Sequence, residues 1–481
     1  MAMFAVAMVA IVATGLPVYA VLIGVASAFA MLGLATGLFD WHLLSALPSR
    51  LVGLLEHDLL QALPLYALVG ALLNRLPLAE LMHGAGERLF SRSAAAPQLA
   101  ALGVGALLAP MNGSVGASLH MLSRRIEPAL AARGVAPAEA TATVCVASTL
   151  GVIIPPSLVL LLLGDAMMRA HTEAVNASHA AVRIVNTQDV MRAALVPGAV
   201  VLAAALAIAA WRGRGLARSD AAPLRGLGLA QAALVAAVIA MLLGAVASGL
   251  IYAVEGAATG AMLLLIGGLA SRRLDRALLG AVLTDAMVLT GMLMALLVGA
   301  TTFSLVLRAF GSDALVASAL HTLDARPTLM LFAVLAGFIA CSFVLDAFEM
   351  IFLVVPIVMP PLLAVVPDAA WVAALTLLVL QTGFLLPPLG YTIVMSRATA
   401  SRPTPLRPLV RALLPQLAAQ ALVIAAVLGW PALTHFGSTS GATEAQPAAT
   451  NDEAERLMDD AFRAQGGRAS SAEPPASGQP P

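Results

Sequence analysis

Apolar positions along the chain come in long runs, and polar positions cluster in short stretches between them. The runs fall near 2–14, 17–38, 58–74, 97–122, 139–164, 190–211, 226–247, 249–270, 280–307, 327–343, 347–366, 370–395 and 408–430. About 20 apolar residues suffice for a helix to cross a bilayer, and several of these runs are too short or too punctuated to be simple spans. Two runs are broken in the middle. Gly151-Val152-Ile153-Ile154-Pro155-Pro156 interrupts 139–164, and Gly383-Phe384-Leu385-Leu386-Pro387-Pro388 interrupts 370–395. Paired prolines remove two amide donors and clash with the preceding turn, so neither helix continues through them. Carbonyls freed in hydrocarbon are costly unless something satisfies them. Such a break is where backbone oxygens meet an ion, a substrate or water.

The two breaks lie 232 residues apart (383 − 151, and again 387 − 155). At the same offset Pro128 falls on Pro360, and Asn112-Gly113-Ser114 falls on Val344-Leu345-Asp346. Asn74-Arg75 matches Leu307-Arg308 one residue further on. Broken helices at corresponding places in two halves of a chain point to a transport site near the membrane midplane.

The arginines orient the halves. Loop 211–225 carries Arg212, Arg214, Arg218 and Arg225, and loop 271–279 carries Arg272, Arg273 and Arg276; the positive-inside rule makes both cytoplasmic. Counting outward places loop 165–189, with Asp165, Glu173 and Asp189, outside, and loop 123–138, with Arg124, Arg125 and Arg133, inside. Loop 75–96, with Arg75, Arg88 and Arg92, is also inside. Segment 97–122 therefore enters and leaves on one side, as a re-entrant hairpin with its tip at Pro110-Met111-Asn112-Gly113-Ser114. In the second half, 280–307 runs outward, 327–366 forms a hairpin opening outward, and 370–395 returns to Arg397, Arg402, Arg407 and Arg411. The expected fold is an all-α polytopic membrane protein of two inverted repeats, each with a re-entrant helical hairpin and a broken helix. The repeats are residues 1–210 and 226–434, joined by the Arg-rich linker 211–225 and followed by a tail at 435–481.

Composition agrees with this plan. The chain has 481 residues, of which 60% are hydrophobic and 11% charged, and its mean hydropathy is +0.94; these values exclude a soluble globular domain. A formal net charge of zero argues against a nucleic-acid partner. Cys145 and Cys341 lie in apolar runs and read as small core residues, and the eight histidines are too scattered to hold a metal. Residues 1–14 lack a positive flank and a cleavage site, so they read as a first membrane segment. From Gly437 onward the chain is rich in Ser, Gly, Ala, Pro and Glu, and disorder is expected there. A phosphate-binding loop is absent from the sequence, which excludes ATP hydrolysis by this chain.

Candidate chemistry collects at the tips and breaks. Asp346 and Glu349 are carboxylates inside an apolar run, which is costly and points to a cation site at the second tip; an interfacial polar pair or a salt bridge to an arginine is the structural alternative. At the first tip Asn112, Gly113, Ser114 and Ser118 offer the oxygens that hard cations such as Na+ take, although serines also pack membrane helices. Ser148 and Thr149 precede the break at Gly151 and Pro155-Pro156, and Gln381 and Thr382 precede the break at Gly383 and Pro387-Pro388. Thr149 and Gln381 correspond in the repeat. Tyr391 and Thr392 follow the second break. An intramembrane enzyme is the remote alternative. Gly113-Ser114-Val115-Gly116 faintly suggests a serine nucleophile but has no histidine to serve it, His120 reading as a packed residue; Asp346 would need a second mid-membrane aspartate, for which Asp285 is the loose candidate.

Leu63 to Arg75 with its terminal Asn74-Arg75, the Asn112-Gly113-Ser114 tip, Ser148 to Ser157, and Gly383 to Gly390 together resemble the large membrane subunit of tripartite ATP-independent periplasmic (TRAP) transporters, from about residue 10 to 435. The resemblance implies an elevator-type secondary transporter, with the architecture of the ion-transporter superfamily, in the bacterial inner membrane. It implies Na+ as coupling ion, no other cofactor, and an organic acid such as a C4-dicarboxylate as substrate. A small four-helix membrane subunit and a periplasmic substrate-binding protein would be its partners. Asn112–Ser118 with Ser148–Pro156, and Val344–Glu349 with Gln381–Thr392, would form the moving transport domain. The chain departs from the family's pattern in having Asn112 where Ser begins the first tip, no aspartate shortly after it, and Leu386 where Thr precedes the second Pro-Pro pair. A stand-alone Na+/dicarboxylate symporter of related fold is the alternative, and the presence of a secreted binding protein separates the two.

Overall fold

Among the described residues, which are 2–55, 58–178, 184–215, 227–312, 318, 326–400 and 404–435, every regular element of the computed structural model is helical. The chain begins with α1 (Ala2–Thr14) and α2 (Val18–Ala35), which pack together. Gly15 at φ +63° and Pro17, which has no backbone N–H, separate them. Two short helices, α3 (Trp41–Leu44) and α4 (Leu47–Leu55), lead to α5 (Asp58–Arg75), which bends by 67° into α6 (Leu78–Leu89). The first hairpin is α7 (Ala96–Leu108), a 3-10 turn at Pro110–Asn112, and α8 (Val115–Arg125). A short α9 (Glu127–Ala132) precedes the broken pair α10 (Pro137–Ile153) and α11 (Leu158–Ser178), and α12 (Thr187–Arg212) closes the first half.

The second half opens with α13 (Leu227–Ser248), α14 (Ala253–Ala270) and the 34-residue α15 (Arg276–Ala309). Its hairpin is α16 (Pro327–Cys341) and α17 (Ala347–Val365), the latter with a π-helical turn at Met350–Val354. Its broken pair is α18 (Ala369–Leu385) and α19 (Tyr391–Thr399), followed by α20 (Leu406–Gly429). Eight helical stretches among the described residues are long and apolar enough to cross a bilayer, so the protein is multi-pass. Helix α1 has 13 residues, too few to cross alone.

The repeat seen in the sequence is carried by the elements. Helices α10 and α18 each have 17 residues, and their first and last residues differ by 232 (369 − 137 and 385 − 153). Residues Ser114 and Asp346, also 232 apart, are the N-caps of α8 and α17. Both Pro155-Pro156 and Pro387-Pro388 bonds are cis.

Contacts fix the directions. Pro97 at the start of α7 accepts a hydrogen bond from His83 (3.0 Å), and Arg125 at the end of α8 pairs with Glu80, one turn away on the same helix. The first hairpin thus begins and ends against α6, on one side of the membrane. Thr141 near the start of α10 lies 3.0 Å from Thr404, just before α20. At the other end of α20, Trp371 donates to the Val427 carbonyl (2.8 Å), and Asp368, the N-cap of α18, meets His435 (3.2 Å). Helix α20 has 24 residues and is therefore about 36 Å long. Helices α10 and α18 start at its opposite ends, so the two broken helices run in opposite directions.

One expectation is corrected. The expected external loop 165–189 is helical as far as Ser178, because Asp165 and Arg169 pair at i,i+4 (2.8 Å) and Glu173 binds Arg308 of α15 (3.1 Å). Asp165, Arg169 and Glu173 share one face of α11, and Asp189 lies in the first turn of α12. The Arg-rich linker lies outside the described residues from 216 on, and the tail from 436 on.

Candidate functional site

The first tip is a tight turn. Gly113 adopts φ +74°, a left-handed conformation that side-chain-bearing residues seldom take, and ends the 3-10 turn. Asn112 before it is fully buried. In the orientation that satisfies both ends of its carboxamide, the nitrogen donates to the Gly70 carbonyl (3.2 Å) and the oxygen accepts from the Ser118 amide and hydroxyl (both 3.2 Å). Asn112 and Ser118 therefore seat the tip on α5. Ser114 caps α8, accepting from the Ala117 amide at 3.5 Å. Ser114 and Gly113 line a small cavity with Ser148, Gly151 and Ser157 of the first broken helix. Gly151 is required there by close approach: a Cβ would lie 2.6 Å from the backbone of Ala109. Ser148 and Thr149 donate to the carbonyls of Cys145 (2.8 Å) and Val146 (2.9 Å), which leaves their oxygens as acceptors. Ser157 was not among the expected site residues. It caps α11, accepting from the Leu160 amide (3.1 Å), and its place one residue after Pro-Pro is the signal that identifies it.

The second tip carries charge where the first carries hydroxyl. Asp346 is the N-cap residue of α17, and Glu349 accepts from the Asp346 amide at 2.9 Å. That is a structural role for the pair, and it does not use all of it. Asp346 Oδ1 is buried without a hydrogen-bond partner, and among the described residues no arginine pairs with either carboxylate, so the salt-bridge alternative does not hold. Gln381 is fully buried, and neither end of its amide is hydrogen-bonded. Thr382 donates to Leu378 in its own helix (2.8 Å). Gly383 packs against Ser342 at the second tip, as Gly151 does against Ala109 at the first.

Thr392 has a different part. The Phe384 carbonyl would normally bond to the amide four residues on, but that residue is Pro388. The Thr392 hydroxyl takes the vacant place at 2.8 Å. The equivalent position after the first break is Leu160, which cannot do this. Tyr391 reaches the first tip from the second broken helix: its hydroxyl lies against Gly116 of α8, where a Cβ would be 2.6 Å away.

The enzyme alternatives fail on placement. Asp285 is bound by Arg75 through two hydrogen bonds (2.7 and 3.1 Å) that tie α15 to α5, and His120, expected to be packed, is exposed. Among the described residues no three His, Cys, Asp or Glu side chains group to hold a metal.

The family described as "Tripartite ATP-independent periplasmic transporter, DctM component" matches residues 5–433. No curated protein is similar enough to match. Among solved structures, the Alcanivorax borkumensis YdaH transporter, whose crystal structure is described as having an unusual topology, is 16% identical, with a TM-score of 0.53 over 82% of this chain and 90% of that one. At that identity the likeness is one of fold.

Proposed function

Because the chain belongs to the family of the DctM component of tripartite ATP-independent periplasmic transporters, and is thus a transporter component rather than an enzyme, we propose that it is the large permease subunit of a Na+-driven importer of an organic acid in the bacterial inner membrane. A periplasmic binding protein delivers the acid, and a small four-helix membrane subunit completes the complex. The observation that carries the coupling is the buried, unpartnered oxygen of Asp346 beside the broken helix that holds the unpartnered Gln381. Buried polar groups are almost always hydrogen-bonded, so orphans at a tip and a break call for a ligand. Oxygen donors are the ligand set for a hard cation. At the first tip the hydroxyls of Ser114 and Ser148 and the freed carbonyls offer the neutral counterpart. Two cations so held would offset the charge of a carboxylate substrate.

The hairpins and broken helices, α7–α11 and α16–α19, form the moving piece, and α2, α5, α14 and α15 pack together as the part it slides against. The test is reconstitution of the three components in liposomes. Uptake of the binding-protein-loaded acid is expected with an inward Na+ gradient and not with K+ in its place. Equal uptake in K+ would remove Na+ from the coupling, and uptake without the binding protein would favour a stand-alone symporter.

A further inference from the structure

On the external side, a groove of about 370 Å³ runs between the moving piece and α15. One wall is a single face of α11 from Leu162 to Glu173, about 16 Å of helix. The other is the face of α15 that carries Thr301, Ser304 and Arg308, and α4 contributes Arg50 at the rim. Ile351 and Phe352, in the π-helical turn of α17, form its inner end, two and three residues beyond Glu349. The groove therefore lies against the helix that starts at the second tip. Its size is that of a pocket for a small organic molecule, and π-helical turns recur at functional sites.

The lining is charged but uneven. Three guanidinium groups, Arg50, Arg169 and Arg308, face two carboxylates, Asp165 and Glu173. Arg169 is held by Asp165 (3.0 and 2.8 Å). Arg308 is held by Glu173 (3.1 and 3.3 Å) and by the Pro356 carbonyl (3.3 Å). These pairs brace the walls. Among the described residues, Arg50 forms no hydrogen bond or ion pair, and neither do the hydroxyls of Thr301 and Ser304.

We propose that this groove is an external receiving site for a small carboxylate, with Arg50 as the guanidinium that recognises the carboxylate and with the Thr301 and Ser304 hydroxyls beside it. The proposal rests on the reading that the chain imports an organic acid. A planar guanidinium fork matches a carboxylate. The two fixed carboxylates leave a net lining of one positive charge, which suits a singly charged head and disfavours a phosphate dianion. A groove that lies against the helix starting at the second tip would hold the acid where the binding protein releases it and pass it inward.

The test is direct binding to the intact chain in complex with its membrane partner in detergent. Melting temperature is followed against pyruvate, succinate, gluconate and inorganic phosphate, in Na+ and in K+. At least one carboxylate is expected to stabilise the wild type saturably, with phosphate much weaker. Arg50→Ala should melt at the wild-type temperature without ligand and need at least tenfold more carboxylate. Arg50→Lys should lie between them, and Ser304→Ala should weaken binding less. Stabilisation by none of the carboxylates, equal stabilisation by phosphate, or an unchanged half-saturation in Arg50→Ala would each overturn the proposal. A headgroup-binding role would also overturn it, and would show as an Arg50→Ala defect seen in vesicles containing anionic lipid and absent in pure phosphatidylcholine. If carboxylate binding and its loss in Arg50→Ala are found while the reconstituted complex imports no acid, the receiving site stands and the proposed function fails.

Discussion

At the scale of single residues, Asp346 and Thr392 separate the proposed ion-ligand duty from a purely structural one. Asp346 is the N-cap residue of α17 and keeps one buried oxygen unbonded. Asparagine caps a helix as well as aspartate does. Asp346→Asn therefore keeps the turn and removes only charge. The expected outcome is a several-fold higher Na+ concentration for half-maximal uptake, with the melting temperature nearly unchanged because no arginine is left without its partner. Unchanged Na+ dependence would take Asp346 out of the ion site and leave the ions on hydroxyls and carbonyls. Thr392 is the reverse case. Its hydroxyl replaces the amide that Pro388 lacks, so Thr392→Val, nearly the same in shape, leaves the Phe384 carbonyl buried and unbonded, at a cost of about 1–3 kcal/mol. Thr376→Val is the control: Thr376 donates to Val372 (2.8 Å), a carbonyl that keeps its own helical amide, and the loss should be smaller. Melting temperatures in detergent compare the two, and equal losses would return Thr392 to ordinary packing.

At the scale of elements, the breaks are the organising feature. Helix α10 stops at Ile153 and α18 at Leu385, each two residues before the first proline. Replacing Pro155-Pro156 or Pro387-Pro388 with Ala-Ala restores the missing amides and allows the helices to continue. The expected result is loss of uptake, with protein inserted in the membrane at wild-type amounts. Uptake near the wild-type rate in both variants would make the breaks mere kinks. These boundaries were legible in the sequence because a proline acts on its own neighbours. The length of α11 was not, since Asp165, Arg169 and Glu173 look like loop residues until Arg308 of α15, 135 residues away from Glu173, is brought against them. The same is true of the bend between α5 and α6: Pro77 marks it, and the 67° angle comes from α6 lying along the first hairpin.

At the scale of the whole molecule, opposite orientation of the halves predicts what faces where. In a background without Cys145 and Cys341, Asn186→Cys is expected to react with an impermeant maleimide added outside, and Ser271→Cys only after the membrane is opened. Both positions are exposed, so labelling from the same face would sink the inverted arrangement. The proposed sliding adds a second prediction. Cross-linking Glu173→Cys to Arg308→Cys joins α11 of the moving piece to α15 and should abolish uptake. Cross-linking Thr141→Cys to Thr404→Cys joins α10 to the segment that leaves α19, which the proposal takes to move with it, and should leave most of it. Equal inhibition by both cross-links would argue against one piece sliding past another.

The sequence by itself determined what depends on near neighbours and on bulk partition. Apolar runs set the spans, because hydrocarbon excludes unbonded polar groups. The Pro-Pro pairs set the breaks, and the arginines set the expected sides. The 232-residue spacing made the repeat visible, and Ser114 and Asp346 appeared as its corresponding tip residues before any contact was known. Only the tertiary structure decided which polar atoms remain without partners. Asn112 lies among polar groups and is fully used, whereas Gln381 lies in an apolar run and has none of its bonds made. Asp346 could have met an arginine and does not, while Asp285 meets Arg75. Hydrogen-bond satisfaction is settled by groups tens or hundreds of residues away, brought within about 3 Å by packing. The groove rimmed by Arg50 exists for the same reason: α4, α11, α15 and α17 are distant in the chain, and only their packing leaves a space between them.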